Sequence, residues 1–253
     1  MLGKLIKYEL KATARILIPL YIALLSFALI NKLLIGNSNN IDSNLFGAIP
    51  IMISIFSYGV TMAAVFIITF FVIVQRFYKN LLGDEGYLMN TLPVKPWKNI
   101  LSKLIVSIVW SIVSGIVAIL SILIMAYSKD MFSNISSKIA EFIIYLQEGY
   151  YGVVIELIIY GFISMISSTL LLYLSISIGH LFNERRILAS FGGFIVLNMI
   201  ISSIKGVIQA VGDNTIGIII IPNIHGLLVF DILLIVVLFI ACNYIIKNKL
   251  NLE

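Results

Sequence analysis

SNLFGAIPIMISIFSYGVTMAAVFIITFFVIVQ, residues 43–75, runs from Asp42 to Arg76 without one charged side chain. A helix rises about 1.5 Å per residue and the hydrocarbon layer of a bilayer is about 30 Å thick, so roughly 20 apolar residues cross it. Two more neutral intervals follow, between Lys103 and Lys129 and between Glu156 and Glu184. Residues 187–204, bounded by Arg186 and Lys205, make a shorter fourth. The outermost two are less clean. Residues 16–31 lie between Arg15 and Lys32 and span only if both basic stems reach back to the interface. Residues 226–246 carry Asp231 inside their outer end.

Composition agrees with this pattern. Of 253 residues, 60% are hydrophobic and 11% charged, against about 25% charged in a soluble domain. The expected fold is an all-α integral membrane protein, one transmembrane domain over residues 1–253, with six spans near 16–33, 51–75, 104–127, 152–178, 187–205 and 226–246. The first apolar run reads as a retained span, because a signal peptide would be followed by a mostly soluble remainder. Lone Cys242 cannot close an intrachain disulfide.

The formal charge of +5 points to topology rather than to nucleic acid. With those spans, Lys4, Lys7, Lys11, Arg15, Arg76, Lys79, Lys95, Lys98, Lys103, Arg185, Arg186, Lys247 and Lys249 share one side. Only Lys32, Lys129, Lys138 and Lys205 fall on the other. The positive-inside rule makes the basic side cytoplasmic, with both termini inside.

Residues 1–14 predict a short amphipathic helix lying on the inner leaflet before the chain turns into the first span. Lys4, Lys7, Lys11 and Arg15 share a face opposite Leu2, Leu5, Ile6 and Leu10. The plainer reading is a basic flank that sets topology. Between spans two and three, Gly83 breaks the helix and Asp84 caps a new one, with Glu85 adding charge to its first turn. Tyr87, Leu88, Thr91 and Leu92 form an apolar stripe, Pro93 ends it, and Pro96 suits the first turn of the next helix. That stripe could face the membrane, the chain's own bundle or a groove in another protein.

Ser137–Gln147 predicts a surface helix on the outer side. Ser164, Ser167, Ser168, Ser175 and Ser177 with Gly161 let span four approach its neighbours closely, and Gly192–Gly193 do the same in span five. Residues 206–225, GVIQAVGDNTIGIIIIPNIH, are too short to span, and predict a re-entrant helical hairpin.

No G-x-x-x-x-G-K-[ST] phosphate loop is present, so ATP hydrolysis is not expected of this chain, nor is a G-x-S-x-G nucleophile elbow found. His180 and His225 fall on opposite faces without companion ligands, so neither a zinc site nor an enzyme is expected. Acidic residues inside a membrane are costly and often functional. Glu156 and Asp231 are therefore candidates for a transport route or gate, weighed against interfacial or structural roles.

The segment Asp84–Leu104, DEGYLMNTLPVKPWKNILSKL, resembles the first cytoplasmic loop of the ABC-2 type permeases, especially the small six-span permeases common in Gram-positive bacteria. Glu85 and Gly86, then Leu88 and Leu92, then Pro93, then Lys103 carry the likeness, and Tyr87 departs from it where threonine is usual. The resemblance implies a coupling helix, Asp84, Glu85, Gly86, Tyr87, Leu88, Thr91, Leu92 and Pro93, docking on a separate ATP-binding subunit. It also implies two such ATPases holding ATP and Mg, no cofactor in this chain, a second permease chain, lipid contact and no nucleic acid. Export of a peptide, antibiotic or lipid-like substrate across the cell membrane is the expected activity. The alternatives are an immunity or scaffold protein that binds a ligand without transport, and a secondary carrier.

Overall fold

The structure, a computed structural model, describes residues 2–36, 45–82, 95–126, 137–138, 151–182, 185–212, 214–216, 219–221 and 224–248. Six helices dominate: α1 (Leu2–Gly36), α2 (Leu45–Phe77), α3 (Pro96–Ala126), α4 (Tyr151–Gly179), α5 (Arg186–Gly212) and α6 (Ile224–Asn248). A π-helical turn, Tyr78–Leu82, prolongs α2. All six are long and apolar enough to cross a membrane. Even α6, with 25 residues, is about 38 Å long, more than the hydrocarbon layer. Their outward faces are apolar: Phe56 is 74% exposed, Ile187 83% and Val211 84%. Water would penalise such faces, whereas lipid solvates them without cost. The chain is a multi-pass, all-α membrane protein.

Two expected local shapes differ. The amphipathic start does not turn before the first span, because α1 is one helix of 35 residues. No Gly or Pro interrupts residues 5–18, so nothing stops the helix there. Lys4, Lys7, Lys11 and Arg15 are exposed along it, while Glu9 and Thr13 are buried. Pro19 lies inside α1 and removes the donor that would serve the Arg15 carbonyl.

The second difference is between α5 and α6. α5 continues through Gly206 to Gly212, since one glycine costs a helix only about 1 kcal/mol. The isoleucine run then forms strands rather than a helical hairpin. β1 (Asn214–Ile216) pairs antiparallel with β2 (Ile219–Ile221), Thr215 opposite Ile220, as β-branched residues favour. α3 starts at Pro96 as predicted. The expected helix Asp84–Leu92 lies outside the described residues, as does all of Ser137–Gln147 except helical Ser137 and Lys138.

The chain divides into two compact units. One comprises Ile6–Ile73 and Val106–Ile144. Its core joins Leu17, Tyr21 and Leu24 of α1 to Tyr58, Val65 and Val72 of α2 and to Val106 and Trp110 of α3. Polar side chains inside this core pair with each other: Trp110 Nε1 donates to Thr13 Oγ1 at 2.6 Å, Tyr21 and Thr69 meet Ser114 Oγ at 2.7 and 3.0 Å, and Tyr58 meets Ser121 at 2.9 Å. In lipid such interhelical bonds substitute for the missing hydrophobic force.

The other unit comprises Met1–Leu5, Val74–Ile105 and Tyr145–Glu253. There α4 packs along both α5 and α6, which touch each other less. Phe77 stacks on Tyr173 at 3.9 Å, Ser177 Oγ lies 3.7 Å from Cys242 Sγ, and Gly179 abuts Ser190. These contacts gather the C-terminal ends of α2, α4 and α6 with the N-terminal end of α5. Arg76, Arg185, Arg186 and Lys247 therefore belong to one end of the unit.

Candidate functional site

The opposite end of this second unit holds its described acidic residues, Glu156 and Asp231. Asp231 lies seven residues, about 10 Å, inside α6, and is fully buried. An isolated carboxylate there would be very costly. It is met from α5 by Lys205, whose Nζ is 2.8 Å from Oδ1 and 2.9 Å from Oδ2, the hydrogen bond aligning on Oδ2. The Lys205 side chain is 23% exposed. Its Nζ is also 5.9 Å from the Tyr160 ring centroid on α4, within cation–π range. Because α5 runs on to Gly212, the pair sits inside the helical layer rather than at its rim.

Glu156 makes a separate pair. Its Oε1 is 3.5 Å from His225 Nε2, with side chains 32% and 79% exposed. Pairs this open to solvent contribute at most about 1 kcal/mol. Glu156 and Asp231, proposed together from the sequence as a route or gate, thus have different partners.

Beside the buried pair α4, α5 and α6 line a half-open cavity of ≈ 130 Å³. Ser164, Ser167, Ser168 and Leu171 line it from α4, Asn198, Ile201, Ser202 and Lys205 from α5, and Leu234 from α6. Ser167 donates to the Ser164 carbonyl at 3.0 Å, Ser168 to Met165 at 3.0 Å and Ser202 to Asn198 at 2.7 Å. These bonds within each helix let hydroxyls sit in an apolar layer. From the sequence alone Ser164, Ser167 and Ser168 read as close-packing residues and Lys205 as a span boundary. The signal that identifies the site is a lone cation and a lone anion at neighbouring spans, each needing a partner.

At the basic end, the residues just before 83 are buried in the same unit, as are Asn99 and Ile100 of α3, while Lys95 and Trp97 between are exposed. Leu81 is 1% exposed, Leu82 2%, Asn99 2% and Ile100 0%. His180, just past α4, lies 5.9 Å from the Tyr78 ring, and its Nε2 has no hydrogen-bond partner among the described residues. Burial lowers its pKa below the usual 6.5, the Arg186 charge adds to that, and bonds to the His180 and Leu82 backbones partly offset it. The eight coupling residues Asp84, Glu85, Gly86, Tyr87, Leu88, Thr91, Leu92 and Pro93 lie outside the described residues. Among those described, no three His, Cys, Asp or Glu side chains form a metal-binding group. Comparison of the chain with known protein families, with curated proteins and with solved structures finds no match.

Proposed function

We propose that this chain is the membrane-spanning permease subunit of an ATP-driven exporter of the ABC-2 type, with hydrolysis on a separate pair of ATP-binding subunits. The observation that carries the reading is how the segment 83–94 is rooted. In its first stem Phe77 is buried and stacked on Tyr173, and Asn80, Leu81 and Leu82 are buried, while Tyr78 and Lys79 face outward. Its second is the first turns of α3, which starts at Pro96 and has Asn99, Ile100, Ser102 and Lys103 buried. A force applied to Glu85, Tyr87, Leu88 and Leu92 would pass directly into α2, α3 and α4. The basic ends of the helices, and both termini, face the cytoplasm in this arrangement, and the hairpin β1–β2 dips into the outer leaflet. A second permease chain completes the route.

Copurification in mild detergent tests the reading. A nucleotide-binding ATPase is expected to accompany the chain, and Leu88→Asp with Leu92→Asp to abolish the association while the permease stays folded. Association unaffected by both substitutions, or transport that persists without any ATPase, contradicts it. The ion pair Lys205–Asp231 within the helical layer favours one other reading, a secondary carrier. Vesicle transport driven by an ion gradient alone, without ATP, would select the carrier.

A further inference from the structure

We propose that the cavity among α4, α5 and α6 binds the anionic head group, a phosphate or carboxylate, of a membrane amphiphile, with Lys205 as its charge partner. The Lys205–Asp231 pair is an oriented dipole. Its negative end is sealed, since the Asp231 side chain is 0% exposed, while the Lys205 side chain is 23% exposed and lines the cavity. Among the described residues Lys205 is the one charged side chain that lines the space, and no acidic one does. An ammonium has three donors, and with one aligned on Asp231 Oδ2 a donor remains for a ligand. The hydroxyls of Ser168 and Ser202 can rotate from their carbonyls to donate to an anion, as hydroxyl hydrogens are free to turn.

The same space suits an amphiphile better than a free ion. Leu171, Ile201 and Leu234 make part of its wall. No described side chain of α5 is buried, and Ile200, Ile204 and Val207 are 52%, 42% and 63% exposed. An acyl chain beside α5 would therefore continue an apolar surface already facing lipid. A volume of ≈ 130 Å³ holds about four waters' share of liquid volume, the scale of a phosphate or carboxylate head rather than of a folded peptide. The inference deepens the permease reading and rests on it only for treating the amphiphile as cargo.

Native mass spectrometry of the full chain, with phosphatidylglycerol and phosphatidylcholine of equal chain length at equal concentration, tests it. Phosphatidylglycerol adducts are expected to exceed phosphatidylcholine adducts by about tenfold, the value of one charge-assisted contact. Lys205→Gln alone strands Asp231 and can unfold the chain, so the informative variant is Lys205→Gln with Asp231→Asn. It should fall to parity while melting as a folded protein. Ser168→Leu, which fills the cavity without touching the ion pair, should also lose the preference. Parity in the unmodified chain, or a preference surviving in the folded double variant, overturns the proposal. Displacement of phosphatidylglycerol by inorganic phosphate at equal concentration assigns the site to a free anion and overturns it too. Parity with an ATPase still associated sinks this site and leaves the permease reading; retained preference with no ATPase does the reverse.

Discussion

A β-carbon on Gly179 would meet the Ser190 hydroxyl and lie 2.5 Å from the Ser190 nitrogen and 2.6 Å from its Cα. Two of those three atoms are backbone, so no side-chain rotation relieves the clash. Gly179→Val should cost about 1–3 kcal/mol as overpacking, seen as a lower Tm in detergent, whereas an unchanged Tm would show that α4 and α5 separate freely there. Asp231 behaves oppositely. Asp231→Ala leaves the Lys205 ammonium without its counter-ion and should cost about 3–5 kcal/mol. The double variant with Lys205→Gln should recover most of that, measured by the same melts.

His180 gives a pH dependence. Its folded pKa is below the usual 6.5, so the unfolded chain binds the proton more readily. Stability contributed by neutral His180 is therefore complete above that value and is lost as pH falls below it. His180→Gln should flatten the fall in Tm on the acid side of 6.5, and an unchanged slope would assign the acid sensitivity elsewhere.

Among the elements, α1, α2 and α3 are joined by side-chain hydrogen bonds as much as by apolar contact. Trp110→Phe removes the donor to Thr13 and keeps an aromatic ring against Tyr21. The expected loss is about 0.5–2 kcal/mol, the range for an interhelical bond in lipid, by double-mutant cycle with Thr13→Val. A coupling energy near zero would make the bond incidental.

The helices were legible because neutral runs longer than the hydrocarbon thickness admit few other structures, and Pro96 marked the start of α3 through its missing donor. Their ends were not. Gly206 looked like a break, but the helix continues past it, and the isoleucine run before Pro222 has no periodicity that separates strand from helix. The site was half legible. Asp231 stood out as a charge within a span, but its partner is 26 residues away on another helix, a pairing set by how α5 lies on α6 and not by local sequence.

For the whole molecule, every further statement depends on the helices crossing lipid with their basic ends on one side. The contacts of Phe77 with Tyr173, of Ser177 with Cys242 and of Gly179 with Ser190 already join the ends that carry Arg76, Arg185, Arg186 and Lys247. Which compartment they face decides whether a cytoplasmic ATPase can reach the segment 83–94. Impermeant maleimide labelling of intact cells measures this directly, using single cysteines in a Cys242→Ser background. Lys95→Cys and Arg185→Cys should label only after the membrane is permeabilised, and Ser137→Cys and His225→Cys should label at once. Labelling of Lys95→Cys or Arg185→Cys in intact cells would contradict the account.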